Sequence, residues 1–330
     1  IANLKFLGKT IERVVALQIQ DHLSQNELYA ITQSAYRVHH SCETALLRVY
    51  NDLLLALDGG QEAILVLLDY SAAFDTINHD TMIQRLSERF GIRDNALSWF
   101  KTYLTNRSQS IVIGNAESVP YSHDSGVPQG SVVGPLTFTL YSSPLEDIIN
   151  HHRISNMMYA DDTQLYVILK RDERTTGIAQ LQDCLRDIKI WSTQNCLKLN
   201  DSKTEIIHFS SRHRPCSPIS CITLDNTAIC PVSNARNLGV IFDSTLSMSN
   251  HISNVCRSAS FALHKIGTIR QYLDAKSTEK LIHALVMSRI ESCNSLLYGL
   301  PDTQISKLQR IQNSAARLVT RTPTRKSITP

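Results

Sequence analysis

Apolar positions along this chain follow a helical period in some stretches and a strand-like one in others. Residues 10–24 and 42–58 carry apolar side chains at helical spacing, the second stretch opened by Ser41 as N-cap and closed by Gly59-Gly60. The run Ala63-Ile64-Leu65-Val66-Leu67-Leu68 is apolar throughout, which predicts a buried strand over 63–70 with Asp69 at its end. Helical spacing returns near 79–90, stopped by Gly91, and over 94–104. Gln109–Ile113 and Ser118–His123, split by Gly114-Asn115, read as a hairpin. A Gly/Pro-rich loop, Gly126–Pro135, leads into a helix reaching about Ile149. Ile154–Tyr166 reads as two strands joined by a tight turn at Asp161-Asp162. A long amphipathic helix is predicted near 174–195, then short strands up to 243, then helices over 249–272, 277–297 and 302–319.

Composition fits a folded chain with a sizeable core. At 330 residues it is too long for one small module, so two or three subdomains are expected. With 12 Gly and 10 Pro it is neither collagen-like nor of low complexity. The longest apolar run, residues 63–68, falls far short of the ~18 residues a membrane span needs. Lys5, Lys9, Glu12 and Arg13 interrupt the N-terminal apolar positions, so neither a signal peptide nor a membrane partner is expected. The start at Ile1 and the end at Pro330 read as those of a piece of a longer protein. Eight cysteines without a Cys-x-x-Cys pair are expected to be reduced intracellular thiols.

Charge divides unevenly. Residues 251–330 hold 12 Lys+Arg against 4 Asp+Glu, a net of +8, whereas residues 1–250 hold 21 against 26, a net of −5. The basic segment is either a solvated helical surface or an element that binds a polyanion, and charge does not decide between them.

Two acidic sites have apolar neighbours: Asp69 after Ile64–Leu68, and Asp161-Asp162 after Met157-Met158-Tyr159-Ala160. Burying such charges is costly unless they are paired or coordinate a metal. If the two strands are adjacent in one sheet, three carboxylates converge. They are hard oxygen donors suited to Mg²⁺, and two such ions serve phosphoryl transfer. Taken singly, each site is more often a turn residue or a strand-end cap. Gly126, Gly130 and Gly134 lack the Gly-Lys-Ser/Thr ending of a Walker loop. His208, His213, Cys216, Cys221 and Cys230 match no common zinc-finger spacing.

The combination is more specific than its parts. Leu-Leu-Asp69-Tyr-Ser-Ala-Ala-Phe74-Asp75, Gly126-Val-Pro-Gln129-Gly130-Ser-Val-Val-Gly134-Pro135 and Tyr159-Ala160-Asp161-Asp162 stand in the order of the A, B and C motifs of reverse transcriptases, which the chain resembles. Ala-Phe-Asp-Thr-Ile-Asn-His-Asp (73–80) and Tyr-Ala-Asp-Asp-Thr-Gln-Leu-Tyr (159–166) are similar to the wording of non-LTR, LINE-type retrotransposon polymerases. The likeness continues through Trp99–Leu104, Leu197–Glu205 and Asn237–Asp243 to Ser292–Pro301 and Ile311–Arg317, so it covers nearly the whole chain.

The resemblance implies an α+β right-hand polymerase, with an antiparallel palm sheet flanked by helices, helical fingers and a helical thumb. Its parts would be fingers at 1–62, palm at 63–80, a connection at 81–125, palm at 126–245 and thumb at 246–330. It implies two Mg²⁺ ions, with Mn²⁺ as substitute, held by Asp69, Asp161 and Asp162. Lys203 would give a proton to pyrophosphate, Arg37 would grip the triphosphate and Phe74 would exclude a ribose 2′-hydroxyl. Gln129 and Gly130 would lie under the incoming nucleotide, and Leu238-Gly239 would form the primer grip. Asp75 would cap its turn. Ala35 and Tyr36 depart from the family's Gly-Phe before Arg37, as does His39 where Gly is common. The implied partners are an RNA template, a DNA primer and dNTPs. No endonuclease module is recognised, and the family's integration chemistry implies a nuclear or ribonucleoprotein location. The competing readings are a catalytically decayed nucleic-acid-binding remnant and, against Phe74, an RNA-dependent RNA polymerase.

Overall fold

A six-residue apolar run needs cover on both faces, and it becomes the middle of the sheet. The computed structural model describes residues 4–211, 217–224, 227–323 and 325–328. His213 and Cys216, weighed above as metal ligands, lie outside the described residues. Four strands are hydrogen-bonded in one sheet: β1 (Glu62–Leu68), β2 (Ser155–Tyr159), β3 (Asp162–Leu169) and β4 (Glu205–Phe209), in the order β4-β1-β3-β2. β1 is buried at all but one position, as expected for a continuous apolar strand. β2 and β3 are antiparallel, and Tyr159 pairs with Asp162. The turn is therefore Ala160-Asp161, one residue earlier than the sequence pattern suggested. A tight turn leaves two residues unpaired, and the ladder runs one pair further than hydrophobicity indicated.

The chain divides into two compact units. The first comprises Ile1–Ser41, Ala63–Ile206 and Pro218–Pro231. Its helices run Phe6–Gln25, His79–Glu88, Asp94–Leu104, Gly134–Ser142, Pro144–His151 and Arg174–Gln194. Asn78 caps the second of these, its side-chain oxygen accepting from the Thr81 N–H at 2.9 Å. The single helix expected up to Ile149 is broken at Ser143, because Pro144 cannot donate into a continuing helix. Gly134–Ser142 is buried all round, which is why it shows no amphipathic stripe. Its Phe138 and Tyr141 join Ile64, Val66 and Leu165 in the core.

The N-terminal charges do not all behave as expected. Glu12 is buried, and its carboxylate accepts from the backbone N–H groups of Val132 and Val133 at 2.6 and 3.2 Å, just before the helix at Gly134. The thiol expectation also needs correction: Cys221 and Cys230 form a disulfide. They flank a hairpin in which Ile222 pairs with Ile229, so the register sets the two cysteines opposite each other. The remaining described cysteines are free.

The second unit comprises Cys42–Glu62, Ile207–Ser217 and Val232–Pro330. The helix Cys42–Asp58 ends at Gly59-Gly60 as predicted, and its Tyr50 ring lies 5.9 Å from that of Phe242. A hairpin pairs Asn234–Asn237 with Val240–Asp243. The long helices Ser249–Ile269 and Asp302–Thr320 are stapled by buried Arg270, which donates to the carbonyls of Leu318, Val319 and Leu273 at 2.7–2.9 Å. The helix expected over 277–297 is instead Ala275–Ile282, continued by a wider turn at His283–Met287 and a short stretch to Ile290. His208 faces Glu62, Nε2 to carboxylate at 2.6 Å. Residues 42–62 and 232–245 group with the C-terminal helices in this unit. Among the described residues no helix is long and apolar enough to cross a membrane.

Candidate active site

The strand order brings the acidic positions together. β1 lies beside β3 in the middle of the sheet, and Asp69, just past the end of β1, is close enough to Asp162, the first residue of β3, for its charge to act there. Asp161 sits in the turn before it. The proximity is felt electrostatically. Part of the Asp162 side chain reaches solvent, yet burial of the rest, then the charge of Asp161, then that of Asp69, push its pKa up to about 6. One Asp69 oxygen, Oδ2, is buried without a hydrogen-bond partner. Among the described residues, however, no three His, Cys, Asp or Glu side chains are grouped closely enough to enclose an ion as they stand.

Lys203 is carried to this site by a second pairing. Tyr70 and Ser71 pair with Leu199 and Lys198, and the Asn200 N–H donates to the Asp69 carbonyl at 2.8 Å. The following turn places the Lys203 ammonium 3.6 Å from Asp69 Oδ2. Both side chains are partly exposed, so the pair is worth at most about 1 kcal/mol.

The segment after Asp69 and the glycine-rich loop are stitched together. The N–H groups of Gly126 and Val127 donate to the carbonyls of Ile77 and Phe74 at 2.7 and 2.8 Å. Gln129 Nε2 lies 3.2 Å from both Asp75 oxygens, so the Asp75 carboxylate accepts from Gln129, while its turn is closed by its backbone N–H donating to the Ala72 carbonyl at 2.9 Å. Gly126 has φ +81°, and a Cβ there would fall 2.8 Å from the Asp75 carbonyl oxygen. No other residue fits. Gln129 and Gly130 are exposed, at the open side of the loop. Phe74 is half-buried, its ring 5.4 Å from that of Phe138, with the remainder free of the core.

The loop 30–37 meets the acidic turn directly. Ser34 N–H donates to the Met158 carbonyl at 2.9 Å, and Met158 N–H donates to the Thr32 carbonyl at 3.0 Å. Buried Glu146 holds the other end, accepting from the backbone N–H groups of Ile31 and Thr32 and from the Thr32 hydroxyl. Ala160, at φ 57°, occupies the left-handed region, which costs an L-residue about 1–2 kcal/mol. Its N–H donates to Gln33 Oε1 at 3.1 Å. Burial and the Asp161 charge raise the pKa of Tyr36, so Tyr36 stands in the field of the acidic turn. The Arg37 guanidinium packs over the Tyr29 ring at 4.9 Å. The sequence marked Arg37, and Tyr36 as a departure from the usual Phe, but carried no signal for Gln33 or Glu146.

Leu238 and Gly239, the expected primer grip, form a two-residue turn in the second unit, at φ 44° and 91°. Of the twelve basic residues in 251–330, Arg270 is buried and Arg317 half-buried, while the other ten are exposed.

The family model described as "Reverse transcriptase (RNA-dependent DNA polymerase)" matches residues 1–242. The chain belongs to that family. Over 98% of its length it is 26% identical to the "Probable RNA-directed DNA polymerase from transposon BS" of Drosophila melanogaster. It is likewise 26% identical, over 97% of its length, to the corresponding protein from transposon X-element of the same organism. It covers 36% and 35% of these relatives, so it spans about a third of the curated proteins it matches. Among solved structures, telomerase from Candida albicans with a fragment of telomeric RNA gives a TM-score of 0.47 at 14% identity, over 96% of this chain and 51% of that one. A truncated telomerase from Candida tropicalis gives 0.48 at 11%, over 72% and 45%.

Proposed function

We propose that this chain is the polymerising part of a non-LTR retrotransposon reverse transcriptase, adding dNTPs to a primer 3′-hydroxyl on an RNA template and releasing pyrophosphate. The observation that carries this reading is the sharing of one electrostatic field by Asp69, Asp161 and Asp162 at the ends of β1 and β3. The residues fit a divalent cation: the donors are hard oxygens, one of them buried without a hydrogen-bond partner and met only by the Lys203 ammonium at 3.6 Å, and the charges of Asp161 and Asp69 add to burial in raising the Asp162 pKa. Two Mg²⁺ ions, bound there, would activate the primer hydroxyl and stabilise the departing oxygen.

Asp69 and Asp161 would hold both ions and Asp162 would complete the negative cluster. Lys203 leaves Asp69 to neutralise and protonate the pyrophosphate, Arg37 forks onto the triphosphate, and the free edge of Phe74 crowds a ribose 2′-hydroxyl. Gln129, steadied by Asp75, and Gly130 support the incoming nucleotide. In this right-hand arrangement Leu238-Gly239 grips the primer end. The ten exposed basic residues after 250 act as a thumb, contacting phosphates of the template-primer duplex in a salt-dependent way. We place the protein in the nucleus with its RNA.

Primer extension on an RNA template with dNTPs and Mg²⁺, wild type against Asp161→Asn, tests the reading. Extension should fall about 10²–10³-fold or more in the variant while template-primer affinity holds. Tight, salt-sensitive binding with no extension by the wild type would replace this reading with that of a decayed remnant.

A further inference from the structure

The left-handed turn that carries Asp161 has an N–H it cannot satisfy itself. In a two-residue hairpin turn the first turn residue points its N–H away from the ladder, and Ala160 is only 8% exposed, so water is a poor partner. Gln33 supplies the acceptor. It is itself 3% exposed, and its single Oε1 accepts from the Ala160 N–H at 3.1 Å and from the Ala35 N–H at 2.9 Å. Two donors converging on one atom also decide which end of the amide is oxygen. Its Nε2 is left buried without a partner, a cost the site tolerates to keep the bridge.

The backbone bonds of Ser34 and Thr32 to Met158 hold the loop to β2, and this one atom extends the tie to the turn itself, joining residues 127 apart in the chain. On one side is the turn bearing Asp161. On the other is the loop that continues into Tyr36 and Arg37, itself moored by Glu146 through Thr32. We propose that Gln33 is a positioning residue of the polymerase reaction: its carbonyl oxygen fixes the Ala160-Asp161 turn relative to the Tyr36–Arg37 loop. The metal-binding carboxylate and the triphosphate-gripping loop are thereby held in one register. This rests on the polymerase reading. A purely local role, shaping residues 33–35 alone, would need only the Ala35 bond.

Two variants separate these roles. Gln33→Leu keeps the volume and removes the acceptor. Gln33→Glu keeps an acceptor for both N–H groups and removes only the unpartnered donor while adding charge. Hydrogen exchange is followed in the peptides over 157–163 and 32–37, with that over 240–243 as internal reference. Single-nucleotide extension is followed against Mg²⁺ concentration in parallel. Gln33→Leu should speed exchange at Ala160 and Ala35 and lower kcat about 10–100-fold. It should also raise the Mg²⁺ concentration for half-maximal rate, with template-primer affinity unchanged. Gln33→Glu should keep the slow exchange at both amides. Unchanged exchange at Ala160 in Gln33→Leu, or a loss of kcat with no shift in Mg²⁺ dependence, would overturn the proposal. A wild type that fails to extend would overturn the polymerase reading instead, leaving the exchange measurement to judge the bridge.

Discussion

At the tip of β2 and β3, Ala160 sits at φ 57°, buried, with its N–H bound by a side chain from 127 residues away. At the tip of the hairpin ending in Val240–Asp243, Leu238 and Gly239 sit at φ 44° and 91°, and a Cβ on Gly239 would meet nothing within 4 Å. Both are two-residue turns between antiparallel strands, and both need left-handed backbone. The second meets the need with a leucine at the first turn position and a glycine, in open space, at the second. The first puts Ala160 where Gly or Asn would be easier, and the surrounding structure enforces the conformation. Such over-determination is expected where a strained position lies next to a functional side chain.

Two glycine substitutions sharpen this contrast and carry the largest effects. Gly126→Ala combines a left-handed φ with a Cβ 2.8 Å from the Asp75 carbonyl oxygen, and should cost about 3–5 kcal/mol. Gly239→Ala meets the backbone penalty in open space and should cost about 1–2 kcal/mol. Urea unfolding compares them; equal costs would mean that contact with Asp75 contributes nothing.

The reverse substitution should have the opposite sign. If Gln33 and the β2–β3 ladder already hold the turn, Ala160→Gly relieves the left-handed penalty and loses only chain entropy. The same unfolding measurement should then show a gain of about 0.5–1 kcal/mol. A loss as large as that for Gly239→Ala would show that the turn is not held from outside, and the contrast between the hairpins would collapse.

Legibility in the sequence follows the same division between local and distant causes. β1, the helix Asp94–Leu104 and the hairpin about Gly114-Asn115 were readable because their signals are local: an apolar run, a period, a turn pair. Asp69, Asp161 and Asp162 stood out because charge beside apolar strands is conspicuous and the motif order is specific. Gln33, Glu12 and Glu146 were not readable, because their partners lie 127, 120 and 114 residues away and nothing near them in sequence marks them as buried. The Cys221–Cys230 bond depended on strand register, which composition does not encode.

The smallest expected effect tests whether the acidic turn is kept at the expense of stability. The Asp162 pKa of about 6 in the folded chain lies above its ordinary value of 3.8, so between these values the folded state binds more protons than the unfolded one. Stability from this group therefore falls as pH rises through that window. The penalty is complete above about pH 6 and absent below about 3.8. Asp162→Asn removes it. The variant should melt higher than wild type at neutral pH, by about 2 °C once solvent screening of a partly exposed carboxylate is allowed for. The gap should close toward pH 4, and Asp161→Asn, which removes only one of the charges acting on Asp162, should show a smaller one. Millimolar Mg²⁺ should raise the wild-type melting temperature and narrow the gap at neutral pH, because a bound cation offsets the same repulsion. Gly239→Ala, with no carboxylate in its turn, should shift melting equally across the whole pH range. A pH-independent gap for Asp162→Asn would mean that its effect is one of packing, and the acidic turn would then differ from the second hairpin in shape alone.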